Sequence, residues 1–164
     1  MLKRTGVASP EDIKGVTPSV ERLSKGPIAI IECFQKIPCN PCYTACPRQA
    51  IGKMNDINDK PVIIPENCNG CGICVSRCPG LAIFVVDATY SETEALIKMP
   101  WELHPVPQKD SIVKTLNRAG ELVGEGRVVL VQDGRFFDRT KIIHLAVPKQ
   151  DMMEVRSIER GTFK

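Results

Sequence analysis

The residues of this chain best suited to chemistry are eight cysteines, all of them within residues 33–78 of a 164-residue sequence. Residues 39–47 and 71–79 share the pattern C-x2-C-x3-C-P, and the second copy follows the first at a constant offset of 32 residues. The register continues through Ala-Ile steps at 50–51 and 82–83. Because cysteine thiolates bind metals strongly, a repeated cysteine unit predicts two metal sites.

The second copy is complete, because a fourth cysteine precedes it. Its spacing is C-x2-C-x2-C-x3-C-P, with the cysteines Cys68, Cys71, Cys74 and Cys78. This run is typical of bacterial ferredoxins, in which three cysteines on a tight loop hold one 4Fe-4S cluster and the fourth serves the other cluster. Gly70 and Gly72 are expected to give that loop its permissive dihedral angles.

The first copy departs from the pattern at its upstream position. The offset predicts a cysteine at position 36, but Lys36 stands there and Cys33 lies three residues earlier. Cys33 is the one cysteine left to complete a second set of four. The loop from Cys33 to Cys39 is then longer than its counterpart in the second copy, and Ile37 and Pro38 accommodate the extra length. The resemblance to two-cluster ferredoxins implies that the fourth cysteines cross over. We therefore assign Cys33, Cys39, Cys42 and Cys78 to cluster 1, and Cys46, Cys68, Cys71 and Cys74 to cluster 2.

Two other metal arrangements stay open. One is a three-iron cluster in which Cys33 is not a ligand. The other is structural zinc, because paired C-x2-C elements also build four-thiolate zinc sites. Zinc ribbons need no third cysteine in series followed by Cys-Pro, so the spacing favours iron-sulfur clusters. The order C-x3-C-x2-C does not occur, which disfavours S-adenosylmethionine radical chemistry.

Short strands are predicted on both sides of the cysteine loops and again downstream of them. The first two are apolar runs at 28–31 and 83–86. Four more are predicted at 111–116, 128–131, 141–147 and about 154–158, with turns at 117–120 and at Asp133-Gly134. The glycines within 120–126 are expected to lie in turns rather than in a phosphate loop. The spacing of Ser91 and Glu94 predicts a capping box that opens a short helix.

These elements indicate an α+β fold, with a ferredoxin-like dicluster domain followed by a small antiparallel β domain. The Pro- and Gly-interrupted residues 1–26 are predicted to form an N-terminal extended arm. Residues 27–88 form the dicluster 4Fe-4S domain, and the proline-rich residues 89–105 form a linker. Residues 106–164 are predicted to form a small β-barrel-like domain.

Composition and charge disfavour several functions. The net charge of +3 comes from Lys and Arg scattered among acids, which disfavours nucleic-acid binding. No apolar run approaches the roughly 18 residues of a membrane span, and residues 1–9 lack the features of a signal peptide. We expect a cytoplasmic protein with no transmembrane segment, because clustered cysteines in a reducing compartment indicate metal ligation rather than disulfides.

No catalytic constellation accompanies the cysteines. His104 and His144 are single, distant in sequence and unaccompanied by an arranged carboxylate or serine, so we expect neither to be catalytic. The chain has no G-x-G-x-x-G motif, and we predict no flavin or nicotinamide site on it. The sequence indicates an electron-transfer protein without catalytic residues of its own.

The sequences Ile-Glu-Cys at 31–33, Ile-Pro-Cys-Asn-Pro-Cys at 37–42 and Leu-Asn-Arg-Ala-Gly at 116–120 resemble the 4Fe-4S subunits of heteromeric FAD-dependent amino-acid dehydrogenases. These are the proline and hydroxyproline dehydrogenase and hydrogen-cyanide-synthase-like assemblies. The resemblance implies a flavoprotein partner that carries FAD and oxidises the substrate, a hetero-oligomer, and a 2Fe-2S subunit as a further candidate partner. The two clusters would relay electrons to an acceptor.

Two other functions stay open at the level of sequence. A free-standing ferredoxin would serve several redox enzymes, although such proteins usually end shortly after the second Cys-Pro and are acidic. A nucleic-acid-binding protein with structural metal would use the β domain as its platform. The segments outside 27–105 are most simply docking surface, which favours the subunit of a complex.

Overall fold

The computed structural model describes residues 2–161 and 163 and has an α+β fold. Its helices are α1 (Leu2–Thr5), α2 (Pro10–Val16), α3 (Val20–Leu23), α4 (Pro41–Ala45) and α5 (Ile73–Arg77), with short 3-10 turns at Arg135–Phe137 and Lys149–Asp151. Its strands are β1 (Ile28–Ile31), β2 (Ile83–Asp87), β3 (Glu94–Trp101), β4 (Ile112–Leu116), β5 (Leu122–Gln132), β6 (Lys141–Pro148) and β7 (Ser157–Ile158). The strands form one antiparallel sheet in the order β1-β2-β3-β6-β5-β4-β7.

Both faces of β1 and β2 are buried, and each face packs against a different core. Ile28 and Ile30 point into the core that the C-terminal strands share. Ala29 and Ile31 point into a second core, which contains Cys42 and other residues of the cysteine region. Alternation of side chains along a strand explains this division. The sheet therefore supports the cysteine loops directly on one face.

The prediction of a short helix at Ser91–Glu94 is wrong, and residues 94–101 of the predicted linker form strand β3. Ser91 does accept a hydrogen bond from the Glu94 backbone N–H at 2.9 Å, but the bond closes a turn into the strand. Alternate residues of β3 are buried, in the pattern of a half-buried strand. Pro100 lies beyond the register that pairs β3 with β2, so its missing N–H interrupts no bond of that ladder.

The predicted strands at 28–31, 83–86, 111–116 and 141–147 are confirmed, each within a residue at either end. The strand predicted at 128–131 is longer, because β5 also contains Gly124 and Gly126, which the sequence placed in turns. A Cβ at Gly126 would lie 2.9 Å from Cγ of Leu145. Glycine is thus required there by close packing within the sheet rather than by a turn.

The sheet is continuous across the predicted boundary near residue 105. β3 pairs with β6 along its whole length, from Glu94 opposite Pro148 to Trp101 opposite Lys141. The C-terminal strands are therefore neighbours of the ferredoxin-like strands in one sheet, not a separate barrel in the described chain. The division into domains at 27–88, 89–105 and 106–164 stays a prediction.

The N-terminal segment is helical, so the prediction of an extended arm is wrong for most of it. Ser9 caps α2 by accepting from the Asp12 N–H at 3.2 Å, and the Asp12 carboxylate accepts from the Ser9 N–H at 2.9 Å. This reciprocal capping box offsets the interruption by Pro and Gly. Leu23 of α3 is buried in the core shared with the C-terminal strands. Within residues 2–161 and 163, every helix is too short to cross a membrane.

Candidate metal centres

Two five-residue helices, α4 and α5, position cysteines for both predicted clusters. Cys42 lies in α4, and Cys46 ends it. Cys74 lies in α5, and Cys78 ends it. The two helices pack against each other. Each helix therefore supplies one cysteine to either side of the contact between them.

The eight cysteines line two separate cavities, here called cavity 1 and cavity 2. Cavity 1 has a volume of about 540 Å³, and its cysteines are Cys33, Cys39, Cys42 and Cys78. Cavity 2 has a volume of about 20 Å³, and its cysteines are Cys46, Cys68, Cys71 and Cys74. This grouping agrees with the two ligand sets assigned above, and the assignment itself stays a proposal.

The loop that lines cavity 2 depends on two glycines. Gly70 and Gly72 have φ angles of +65° and +91°, as expected for a turn that packs cysteines closely. A Cβ at Gly70 would lie 2.5 Å from Cβ of Pro27, so the loop also packs tightly against the start of β1. The loop thus forms part of the wall of a small cavity lined by four cysteines.

Backbone N–H groups donate to cysteine sulfurs at repeat-related positions. The Ala50 N–H lies 3.3 Å from Sγ of Cys46, and the Ala82 N–H lies 3.4 Å from Sγ of Cys78. The preceding residues, Gln49 and Leu81, both have φ near +50°, which directs these N–H groups back to the sulfurs. The Ala-Ile step of the repeat is therefore part of the cysteine site. The Ala29 N–H of β1 donates to Sγ of Cys68 at 3.3 Å in the same way.

Burial first, and neighbouring cysteines second, disfavour ionisation of Cys33, Cys42 and Cys74. Burial, and after it the charge of Cys78, raises the pKa of Cys42 to about 11. Burial, and after it the charge of Cys68, raises the pKa of Cys74 to about 12. The pKa of Cys33 is also raised, again by burial first and by Cys78 second. Four thiolates can therefore share either cavity only if positive charge enters with them.

This chemistry fits 4Fe-4S clusters, whose irons supply that charge to four thiolates each. Among residues 2–161 and 163, no three side chains of His, Cys, Asp or Glu converge closely enough to hold a single metal ion. The cysteines are instead spread around the two cavities. None of the eight forms a disulfide bond.

Sequence analysis missed a buried charged cluster at the edge of cavity 1. Arg118 donates to both carboxylate oxygens of Glu32, at 2.9 and 2.7 Å, and Arg156 donates to the same carboxylate at 2.7 Å. The guanidinium of Arg156 also lies 5.0 Å from the centre of the Phe84 ring. Burial raises the pKa of Glu32, but the bond to Arg118 and the charge of Arg156 outweigh it, and the pKa lies below its ordinary value.

A half-buried lysine lies beside cavity 2. Lys98 of β3 donates from Nζ to the Gly70 carbonyl at 2.7 Å. Burial lowers its pKa, and the charges of Cys71 and Asp87 oppose that shift. His144 lies opposite Lys98 in the β3–β6 register, and burial, followed by the charge of Lys98, lowers its pKa to about 4. His144 bonds to Gln132 at 2.7 Å, in agreement with a structural role.

Arg22 of α3 holds the Cys68 loop through backbone carbonyls. Its guanidinium donates to four of them, at 2.7 to 3.1 Å: those of Gly26, Pro27, Pro65 and Cys68. These bonds join the N-terminal segment to the loop before β1 and to the loop that carries the first cysteine of the second run. The helical segment thus contributes directly to the shape of cavity 2.

Replacing Arg22 by methionine is expected to lower the free energy of unfolding by about 2–3 kcal/mol, because four charge-assisted bonds are lost while the apolar stem stays. Urea unfolding of the anaerobic protein, followed by circular dichroism, measures the change. The matched control is Arg48→Met, since Arg48 donates one 3.4 Å bond to Asn67 at an exposed position. Equal effects of the two substitutions would contradict the role assigned to Arg22.

Comparison with known proteins agrees with this chemistry. A family model described as a 4Fe-4S dicluster domain matches residues 37–82. The match includes every cysteine except Cys33, which precedes it. It supports a ferredoxin-like iron-sulfur protein with a role in electron transfer, and the eight cysteines fit 4Fe-4S clusters.

One curated relative is similar over part of the chain. It is an uncharacterized ABC transporter ATP-binding protein of Methanocaldococcus jannaschii, which is 38% identical over 66 residues. The alignment covers 36% of this chain and 11% of that protein, so the chain spans about a tenth of the relative's length. No solved structure matches the chain.

Proposed function

We propose that this chain is an iron-sulfur electron-transfer subunit carrying two 4Fe-4S clusters. The observation that carries the proposal is the separation of the cysteines into two cavities with four in each. The ligands of cluster 1 are Cys33, Cys39, Cys42 and Cys78, and those of cluster 2 are Cys46, Cys68, Cys71 and Cys74. The 4Fe-4S dicluster match at residues 37–82 supports the same chemistry.

A 4Fe-4S cluster supplies the capacity to accept and return a single electron. The chain's own residues hold, orient and shield it. Helices α4 and α5 place cysteines from both repeats on each side of their contact. The N–H groups of Ala29, Ala50 and Ala82 donate to cysteine sulfurs, which stabilises their negative charge.

For the partner, we propose a flavoprotein dehydrogenase subunit of the amino-acid-oxidising kind, in a hetero-oligomer, with a 2Fe-2S subunit as a further candidate. The resemblance at residues 31–33, 37–42 and 116–120 supports it. In that arrangement FAD is bound by the partner and not by this chain. We also propose a reducing, cytoplasmic location, where clustered cysteines serve as metal ligands rather than disulfides.

One observation favours a second candidate, a free-standing ferredoxin. Leu23 of α3 and Val113, Val128 and Ile158 of the C-terminal strands are buried in the same core as Ile28 and Ile30 of β1. The segments outside the cysteine region thus complete the hydrophobic core, which accounts for them without a docking partner.

Metal analysis tests the cluster proposal. Protein purified without oxygen is expected to contain about eight irons and eight acid-labile sulfides per chain, the content of two 4Fe-4S clusters. Two zinc ions per chain, with no sulfide and no broad visible absorbance, would contradict it.

Purification at native abundance tests the partner. We expect the chain to elute in a complex that contains FAD, and we expect the amino-acid substrate of that complex to reduce the iron-sulfur absorbance of this chain. A loaded monomer that exchanges electrons with several enzymes would favour the free-standing ferredoxin.

A further inference from the structure

Lys98 lies beside cavity 2, on a strand in the interior of the sheet. It lies in β3, opposite Val85 of β2 and His144 of β6. A Cβ at Gly72 would lie 3.6 Å from Cδ of Lys98, so the stem of the lysine passes over the cysteine loop. Its Nζ donates to the carbonyl of Gly70 within the same loop.

Lys98 is a cation held close to this centre. Arg48 also lines cavity 2, but its guanidinium donates to the Asn67 carbonyl at an exposed position. The carboxylate of Asp87, and Cys68, Cys71 and Cys74 in their thiolate forms, are the anionic groups that act on Lys98. His144, its neighbour across the ladder, is buried and bonded to Gln132, and it is neutral near pH 7 because its pKa lies near 4. Arg22 is also near the loop, but its four bonds are to carbonyl groups.

We infer that Lys98 raises the electron affinity of cluster 2 through its fixed positive charge. The inference rests on the ligand set proposed above for cavity 2. Cluster potentials depend on net charge, hydrogen bonds and solvent exposure. A cation held at a half-buried position stabilises a neighbouring centre more when that centre gains an electron. The step is the addition of one electron from a one-electron reductant, while Lys98 keeps its proton.

Two substitutions separate the charge of Lys98 from its hydrogen bond. Lys98→Gln keeps a donor without the charge, and Lys98→Arg keeps both. Anaerobic titration with dithionite, followed by electron paramagnetic resonance, gives the midpoint potential of each cluster. The signals of cluster 2 are identified as those that survive Cys33→Ser. The control is Lys114→Gln on β4, which lies three strands from β3 in the sheet order, at about 14 Å.

In Lys98→Gln, the electron affinity of cluster 2 is expected to fall about tenfold, which is a decrease of about 59 mV for a one-electron couple. Lys98→Arg and Lys114→Gln should match the wild type, and cluster 1 should be unchanged throughout. An unchanged potential in Lys98→Gln would overturn the inference. Equal shifts in the Gln and Arg variants would also overturn it, because they would indicate loop geometry rather than charge.

Iron analysis covers the case in which Lys98→Gln fails to load cluster 2. If Lys98→Arg then keeps both clusters at wild-type potentials, the positive charge is what the centre requires, which supports the inference. If both variants lose cluster 2, Lys98 acts on folding alone and the inference is wrong. Failure of the proposed function is distinguishable, since the wild-type protein would then lack iron and sulfide.

Discussion

Replacing Cys33 by serine is expected to remove cluster 1 and leave about four irons and four sulfides per chain, the content of one 4Fe-4S cluster. Cys33 stands three residues before the position that the repeat predicts, and it precedes the matched dicluster residues. It nevertheless lines cavity 1 with Cys39, Cys42 and Cys78. The charges of Cys78 and Cys39 both act on its thiol. Cluster 1 therefore lacks a fourth thiolate without Cys33.

Iron and sulfide analysis measures the loss, and electron paramagnetic resonance shows which centre remains. The matched control is Cys74→Ser, which should remove the signals that Cys33→Ser retains. Unchanged iron content and spectra in Cys33→Ser would mean that Cys33 is not a ligand. A wild-type content of about seven irons per chain would then indicate the three-iron arrangement at cavity 1.

Replacing Glu32 by alanine is expected to lower the free energy of unfolding by about 3–5 kcal/mol, because it leaves two buried arginines without their anion. The side chains of Arg156 and Arg118 are 4% and 12% exposed, and that of Glu32 is 8% exposed. Water therefore replaces the carboxylate poorly, above all at Arg156, which is the more buried of the two arginines. The ion pairs of Glu32 with Arg118 and Arg156 also join the end of β1 to the turn after β4 and to the chain before β7. Loss of the Glu32 carboxylate therefore acts on three segments.

The measurement for Glu32→Ala is the shift in the urea midpoint of the anaerobic protein, followed by circular dichroism. Glu21→Ala is the control, because Glu21 pairs with Lys25 at the surface, where the side chains are 78% and 63% exposed. Such a pair contributes about 0.3–0.5 kcal/mol. A midpoint shift for Glu32→Ala no larger than that of the control would refute the stabilising role of the buried cluster.

The cysteine region was largely predictable because its information is local. Cysteines spaced by two and three residues must lie on one short loop and helix, and the repeat at an offset of 32 residues reproduces the whole unit. The same offset relates Gln49 to Leu81, which share a positive φ. Neither residue is glycine, so the residue type did not indicate a positive φ at these positions. At Gly70 and Gly72 the residue type did indicate it.

Strand β3 was missed because two local signals opposed its alternating pattern. Ser91 and Glu94 have the spacing of a capping box, and Pro100 is rare within strands. The pairing with β6 outweighs both, since it extends from Glu94 to Trp101. The cluster of Glu32, Arg118 and Arg156 could not be foreseen, because its members are 86 and 124 residues apart along the chain. Only the tertiary fold brings them together.

β1 and β2 are adjacent antiparallel strands, yet about 50 residues connect Ile31 to Ile83, its partner in the ladder. All eight cysteines lie on this connection. Closing a loop of that length has an entropic cost, and a covalent link across its ends lowers that cost by restricting the unfolded chain. Cys33 follows β1 and Cys78 precedes β2 by a few residues each, so cluster 1 would be such a cross-link. Loss of cluster 1 would therefore raise the entropic cost of pairing β1, an edge strand of the sheet, with β2.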